Sequence, residues 1–249
     1  MTIRNPFFDL EDPPQIDALA IAAHPDDVEQ TCGGTLIRLA EQGYRTGVLD
    51  LTAGDMGTRG TPELRLEESE AAGKHMLIKW RGNLRLPDAR LENTISARMT
   101  LATELRRLKP RLVILPYWEA RHPDHTKASE LGYEAIFLAG LRKLDEYTEP
   151  HRPRKILYAS QYANVPPSLV VDITAQFDRR MAALLAYQSQ YGTQEAASDL
   201  FPGESEIRER LETVARFYGN LIGVKYGEPY VVKEPVAVED VMQLGPRSM

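Results

Sequence analysis

Cysteine is almost missing from this chain: Cys32 stands alone among 249 residues. A lone thiol forms no internal disulfide, so the fold is not stapled and a reducing compartment is expected. Positive charge is not in excess either. The 30 Lys and Arg against 36 Asp and Glu give a formal net charge of −6, with no block of one sign. That argues against a backbone-gripping nucleic-acid binder, which carries a basic stripe. No apolar run approaches the roughly 18 residues of a membrane span. The opening segment MTIRNPFFDLEDPPQ is acidic and proline-bearing, without an apolar core of signal-peptide length. Repeats and low-complexity stretches are missing too. Core material is ample, with 43% hydrophobic residues. The expectation is a cytoplasmic, compact protein, one domain over 1–249, with no nucleic-acid or membrane partner.

Apolar periodicity supplies the architecture. Residues 18–23 (ALAIAA) form a continuous apolar run of buried-strand length. Leu36, Ile37, Leu39 and Ala40 recur at helical spacing over 35–42, and Gly43 ends that helix. A strand is expected at 48–51, then a glycine-rich loop at 54–60 and helices over about 62–76 and 95–108. A strand at 112–115 (LVIL) and a helix over about 126–141 follow. Segment 146–153 reads as a joint; beyond it come strands at 155–161 and 168–173 and helices at about 175–190 and 204–220. A proline-bearing, loosely held tail begins near Glu234, leaving a core of about 16–232. This alternation predicts an α/β fold, a Rossmann-like, mostly parallel sheet with helices on both faces.

Histidine is scarce, with five in the chain, yet three fall in two short motifs. His24-Pro25-Asp26-Asp27-Val28-Glu29 follows the first strand, and Arg121-His122-Pro123-Asp124-His125 follows the LVIL strand. Open parallel sheets bind ligands at the carboxyl ends of their strands, so the two loops can converge on one crevice. Imidazoles and carboxylates together suit zinc, whose catalytic sites use three protein ligands and a water. The surplus groups meet the further need of a hydrolase for a base and an acid. The plainer alternative is a pair of strand-ending turns with aspartates capping the next helices.

A-H-P-D-D-x-E paired with H-P-D-H resembles the PIG-L/LmbE-like zinc deacetylases of N-acetylglucosamine conjugates. The chain is most similar to the branch that deacetylates N-acetylglucosaminyl L-malate in bacillithiol biosynthesis. RHPDH, AIFLAGLRK, VVDIT, AYQSQ and YGNLIGVKYGEPY carry that finer likeness. The resemblance implies that His24, Asp27 and His125 hold zinc, or another divalent metal such as iron(II). It implies Asp26 as general base, and His122 as the group that stabilises the transition state or protonates the leaving amine. Some members carry a tyrosine two residues before the first HPDH histidine; Ala120 stands there, with Arg121 the nearest substitute. A homo-oligomer, such as a hexamer, is implied as well.

Other residues carry weaker signals. Asp124 could orient His122 or cap a helix, and Glu29 could orient His24 or do the same. Arg65 matches a family arginine that contacts substrate, against the alternative of a solvated helix charge. Arg59 and Arg121 are expected to face the malate, Arg65 the sugar, and Arg152 a site only where subunits pack that way. Cys32 reads as a buried small residue. A Rossmann dinucleotide site is disfavoured, because the first turn lacks G-x-G-x-x-G and places two carboxylates where phosphate would lie. A deacetylase for another N-acetylglucosamine conjugate, such as a chitooligosaccharide, is the rival reading, and a non-catalytic metal or sugar binder is a more distant one.

Overall fold

The computed structural model describes residues 14–144, 148–192, 203–243 and 245. Among them seven strands make one sheet: β1 (Ala18–Ala22), β2 (Thr46–Thr52), β3 (Trp80–Leu86), β4 (Leu112–Pro116), β5 (Lys155–Ala159), β6 (Leu169–Asp172) and β7 (Gly227–Val231). Their order is β3-β2-β1-β4-β5-β7-β6. The first five are parallel, and β7 runs antiparallel to both β5 and β6. The helices are α1 (Asp27–Thr31), α2 (Gly33–Glu41), α3 (Pro62–His75), α4 (Ile95–Leu108), α5 (Pro123–Ala139), α6 (Phe177–Leu185), α7 (Gln188–Tyr191) and α8 (Glu204–Leu221).

Side chains alternate across a strand, so the fully buried β1 serves two cores. Ala18, Ala20 and Ala22 pack with Leu36 and Ile37 of α2, Met181 and Leu184 of α6, and Leu211 of α8. Leu19, Ile21 and Ala23 pack on the other face with Leu101 and Leu105 of α4 and Leu131 and Ala135 of α5. From β1 the chain builds outward to β2 and β3, then returns to place β4 on the other side of β1. That reversal is the switch point where such sheets open a crevice. Because β1 and β4 are paired neighbours, the loops leaving their carboxyl ends meet there.

Two strands escape the sequence pattern. In β3 (WRGNLRL) a buried Arg81 sits where an apolar residue would be expected. Its guanidinium grips Asp50 of β2 with two hydrogen bonds (2.8 and 3.1 Å) and Glu29 of α1 with a third (2.6 Å). In β7 the buried charged residue is Glu228, whose carboxylate accepts from the Gly34 and Thr35 backbone N–H groups at the start of α2 (2.9 and 2.7 Å). A Cβ on Gly34 would fall 2.9 Å from that carboxylate, so the glycine permits the approach. The single helix expected over 175–190 is two, α6 and α7, interrupted at Tyr187, whose hydroxyl is turned inward to Glu29 (3.1 Å). Of the expected joint at 146–153, residues 146–147 lie outside the described residues, as do 1–13 and 246–249 of the expected domain. The tail over 234–242 is exposed. Among the described residues no helix is long and apolar enough to cross a membrane.

Candidate active site

The two motifs form one cluster at the carboxyl ends of β1 and β4. Asp27, in the first turn of α1, lies between two imidazoles: its Oδ2 is 3.4 Å from His24 Nδ1 and its Oδ1 3.2 Å from His125 Nε2. The His24 backbone N–H also donates to Asp27 Oδ2 (2.9 Å). Zinc bonds of about 2.0–2.1 Å at tetrahedral angles put ligand atoms about 3.3–3.4 Å apart, so each of these two contacts has the spacing of a ligand pair. Among the described residues, two trios have ligand atoms that all lie within 4.8 Å of one another: His24, His122 and His125, and His24, Asp88 and Asp124. A carboxylate offsets the charge of a dication where neutral imidazoles do not, and Asp27, Asp88 and Asp124 all lie within 3.4 Å of a His24 ring nitrogen.

His24 is held from its other side as well. Its Nε2 lies 3.1 Å from Asp88 Oδ1 and 3.3 Å from Asp124 Oδ2. A carboxylate behind a ligating histidine fixes the tautomer and strengthens the donor. Burial works against a charged His24 ring, but hydrogen bonds to Asp27 and Asp88 outweigh it and raise its pKa to about 11. The His24 hydrogen bond in turn draws Asp88 down to about 2. His125 is raised too, chiefly by the charge of Asp27. These carboxylates attract positive charge to this spot, the electrostatic condition for holding a cation.

Asp88 was not singled out from sequence. It follows the carboxyl end of β3, so recognising that strand would have placed it on the same edge. Asp124 faces His24, not His122, and also accepts from the Ala89 and Leu91 N–H groups (2.8 and 3.3 Å). Nor does it cap α5. That cap is His122, whose Nδ1 accepts the Asp124 backbone N–H (3.2 Å). An Nδ1 occupied as acceptor leaves the ring neutral with its proton on Nε2. Burial and the neighbouring histidines also lower the His122 pKa. Glu29, expected to orient His24 or cap a helix, instead pairs with Arg81 and Tyr187 beneath the loop.

Asp26 occupies the N-cap position of α1 with φ 100°, a left-handed conformation that costs a non-glycine residue about 1–3 kcal/mol. It makes no cap hydrogen bond. Its Oδ2 accepts from the Tyr191 hydroxyl (2.6 Å), and its Oδ1 lies 3.6 Å from Arg65 Nη2. Burial pushes its carboxyl up to about 7, against the pull of Arg65.

The expected arginines separate. Arg65 is buried and donates to the Pro25 carbonyl (2.8 Å), so it braces the Asp26 loop from behind and is not a solvated helix charge. Arg59 donates to the Gln190 carbonyl (3.4 Å), beside α7. Arg121 is exposed and lines a cleft of 590 Å³ together with His122, His125, Tyr117, Tyr162 and Arg210. Arg152 is placed elsewhere within the chain. It precedes β5, at the amino ends of the strands, and rests on the Phe137 ring near the end of α5. Cys32 is buried, and burial raises its thiol far above the nucleophilic range.

A water-accessible cluster of imidazoles and carboxylates at the switch point of a Rossmann-like sheet defines a hydrolase organised around a metal site. More particularly, the chain belongs to the PIG-L family. Residues 19–136 match that family under the description GlcNAc-PI de-N-acetylase. Over 239 residues the chain is 30% identical to the diacetylchitobiose deacetylase of Thermococcus kodakarensis, covering 91% of this chain and 84% of that one. It is 29% identical over 215 residues to the probable N-acetyl-alpha-D-glucosaminyl L-malate deacetylase 2 of Bacillus anthracis, covering 78% and 91%. The crystal structure of a conserved protein from Thermus thermophilus superimposes with a TM-score of 0.82 at 42% identity, covering 90% and 97%. The chain is thus an enzyme of a hydrolytic N-deacetylase family, with the fold its sequence predicts.

Proposed function

We propose that this enzyme removes the acetyl group from an N-acetylglucosamine conjugate, using zinc held by His24, Asp27 and His125. The observation that carries the reading is the Asp27 carboxylate set between two imidazoles at metal-ligand spacing, with Asp26 beside it and left uncapped. When bound, the ion supplies Lewis acidity to the acetyl carbonyl and acidifies water. Asp26 accepts the proton of the attacking water as its oxygen adds to the carbonyl carbon. The neutral His122 ring donates its Nε2–H to the oxygen on which negative charge develops. Of the two roles the resemblance implies for His122, stabilising the transition state suits a ring whose Nδ1 already accepts an N–H. As the C–N bond breaks, Asp26 returns its proton to the amine, giving acetate and the free amino sugar.

The conjugate is argued from the cleft, since the two named relatives are 30% and 29% identical to this chain. Arg121 has no ion-pair partner among the described residues and lines the cleft beside His122; Arg210, paired with Glu206 (3.1 Å), and Glu119 line it as well. Cations beside the reacting site favour an acidic aglycone such as L-malate. Tyr117 and Tyr162, together with the size of the cleft, favour a second sugar, as in diacetylchitobiose. Acetate release from N-acetylglucosaminyl L-malate, diacetylchitobiose and free N-acetylglucosamine decides between them. The malate conjugate is expected to have the highest kcat/KM, and Arg121→Ala to reduce it while sparing the free sugar. Preference for diacetylchitobiose, insensitive to Arg121, would select the saccharide reading. No acetate from any of the three would overturn the function proposed. Cytoplasmic location and a homo-oligomeric state belong to the same proposal, on the resemblance alone.

A further inference from the structure

An aspartate at an N-cap normally accepts an N–H from the first turn of its own helix. Asp26 does not, and the one side-chain hydrogen bond it makes among the described residues comes from Tyr191, 165 residues away in sequence. Tyr191 is itself engaged. Gln30 Nε2 donates to its hydroxyl oxygen (3.1 Å), and the Tyr162 hydroxyl donates to Gln30 Oε1 (3.1 Å). An amide nitrogen only donates and an amide oxygen only accepts, so the chain has one direction. Tyr162 gives to Gln30, Gln30 gives to Tyr191, and the Tyr191 proton is left for Asp26. Tyr162 is half-exposed and lines the cleft, whereas Tyr191 and Asp26 are buried. The short helix α7 that carries Tyr191 is fixed in place, because Glu68 accepts from both the backbone N–H and the hydroxyl of Ser189 (2.6 Å each).

We infer that Tyr191 is a positioning residue that holds the Asp26 carboxylate off the N-terminus of α1, and that Gln30 and Tyr162, which line the cleft, connect this hold to the substrate surface. The inference rests on Asp26 acting as the base. Without the Tyr191 hydroxyl, Asp26 Oδ2 is free to turn back and cap α1, the more usual resting place for that side chain.

Tyr191→Phe tests this. Acetate release should fall about tenfold to a hundredfold in kcat, the kinetic equivalent of one hydrogen bond to a charged group. KM should stay within about twofold and bound metal should be unchanged, because neither substrate contacts nor ligands are touched. Gln30→Met should lower kcat in the same direction by less. Crystals of metal-free Tyr191→Phe should show the Asp26 carboxylate rotated onto the α1 N–H groups. Wild-type kcat in Tyr191→Phe, or Asp26 unmoved in its crystals, would overturn the inference. Metal lost in step with activity would reduce Tyr191 to a structural residue, and wild-type kcat in Gln30→Met would break the chain to the cleft. If the wild-type enzyme released no acetate from any conjugate, the functional reading would fall instead, and the metal-free crystals would still report whether Tyr191 holds Asp26.

Discussion

His125 Nε2 lies 3.2 Å from Asp27 Oδ1, although the two residues come from the first turns of different helices that follow different strands. Two such groups drawn together beside His24 need a cation between them, or protons in its place. Zinc at about 100 times its Kd should therefore stabilise the protein by about 2.7 kcal/mol, read as a rise in Tm that a chelator reverses. Asp27→Ala should abolish that rise. Asp88→Ala, which removes one of the two carboxylates behind His24, should weaken the metal about 10–100-fold. A wild-type Tm indifferent to zinc, iron(II) and chelator would rule out the metal site.

Asp26 and Asp27 are adjacent but turned to different neighbours, so their variants should separate. Asp26→Asn should keep its metal and lose about 10²–10⁴-fold in kcat, since an amide cannot take the proton of water. His122→Ala should also keep its metal with reduced kcat. Metal content measured on purified variants is the check, because loss of metal from His122→Ala would exchange His122 for Asp27 in the ligand set.

The legible part of this site is the part written in contiguous residues. HPDD and HPDH each present their groups from one loop, and the apolar runs of β1 and β4 fix where those loops emerge, so the cluster follows from order along the chain. Tyr191, Gln30 and Asp88 reach it from α7, from α1 and from the end of β3. The last of these was hidden because Arg81 and Asp50 put charge into strands whose burial only their mutual pairing permits. β7 was hidden for the same reason, Glu228 being satisfied by α2, nearly 200 residues distant. Arg152 was expected at a site only where subunits pack that way; within the chain it precedes β5, at the amino end of the sheet, because a loop before a strand opens there.

The Arg81 cluster lies directly below the Asp26–Asp27 loop and should dominate stability there. Arg81→Met retains the bulk and removes the charge, leaving Asp50 and Glu29 buried without a cation. Breaking such a pair by removing one partner costs about 3–5 kcal/mol. Urea denaturation should show a midpoint shift of that size. A loss under about 1 kcal/mol, as for a surface ion pair, would mean that water reaches the cluster.

Gly54 offers a way to disturb Asp26 from behind without touching it. Its φ of +68° already disfavours a side chain, and a Cβ there would fall 2.3 Å from Arg65 Nη1. Arg65 has nowhere to retreat, since its other nitrogen is bonded to the Pro25 carbonyl and it is buried. Gly54→Ala should therefore push the guanidinium off Pro25 and release the strained Asp26 backbone. Gly43 provides the control: its φ is +90°, but an added Cβ would meet nothing within 4 Å. Both variants should lose about 1 kcal/mol or more to the left-handed backbone alone. Only Gly54→Ala should lose kcat as well, with metal retained. Equal losses of stability and undiminished kcat in both would show that Asp26 keeps its geometry without Arg65, leaving Tyr191 as its sole support.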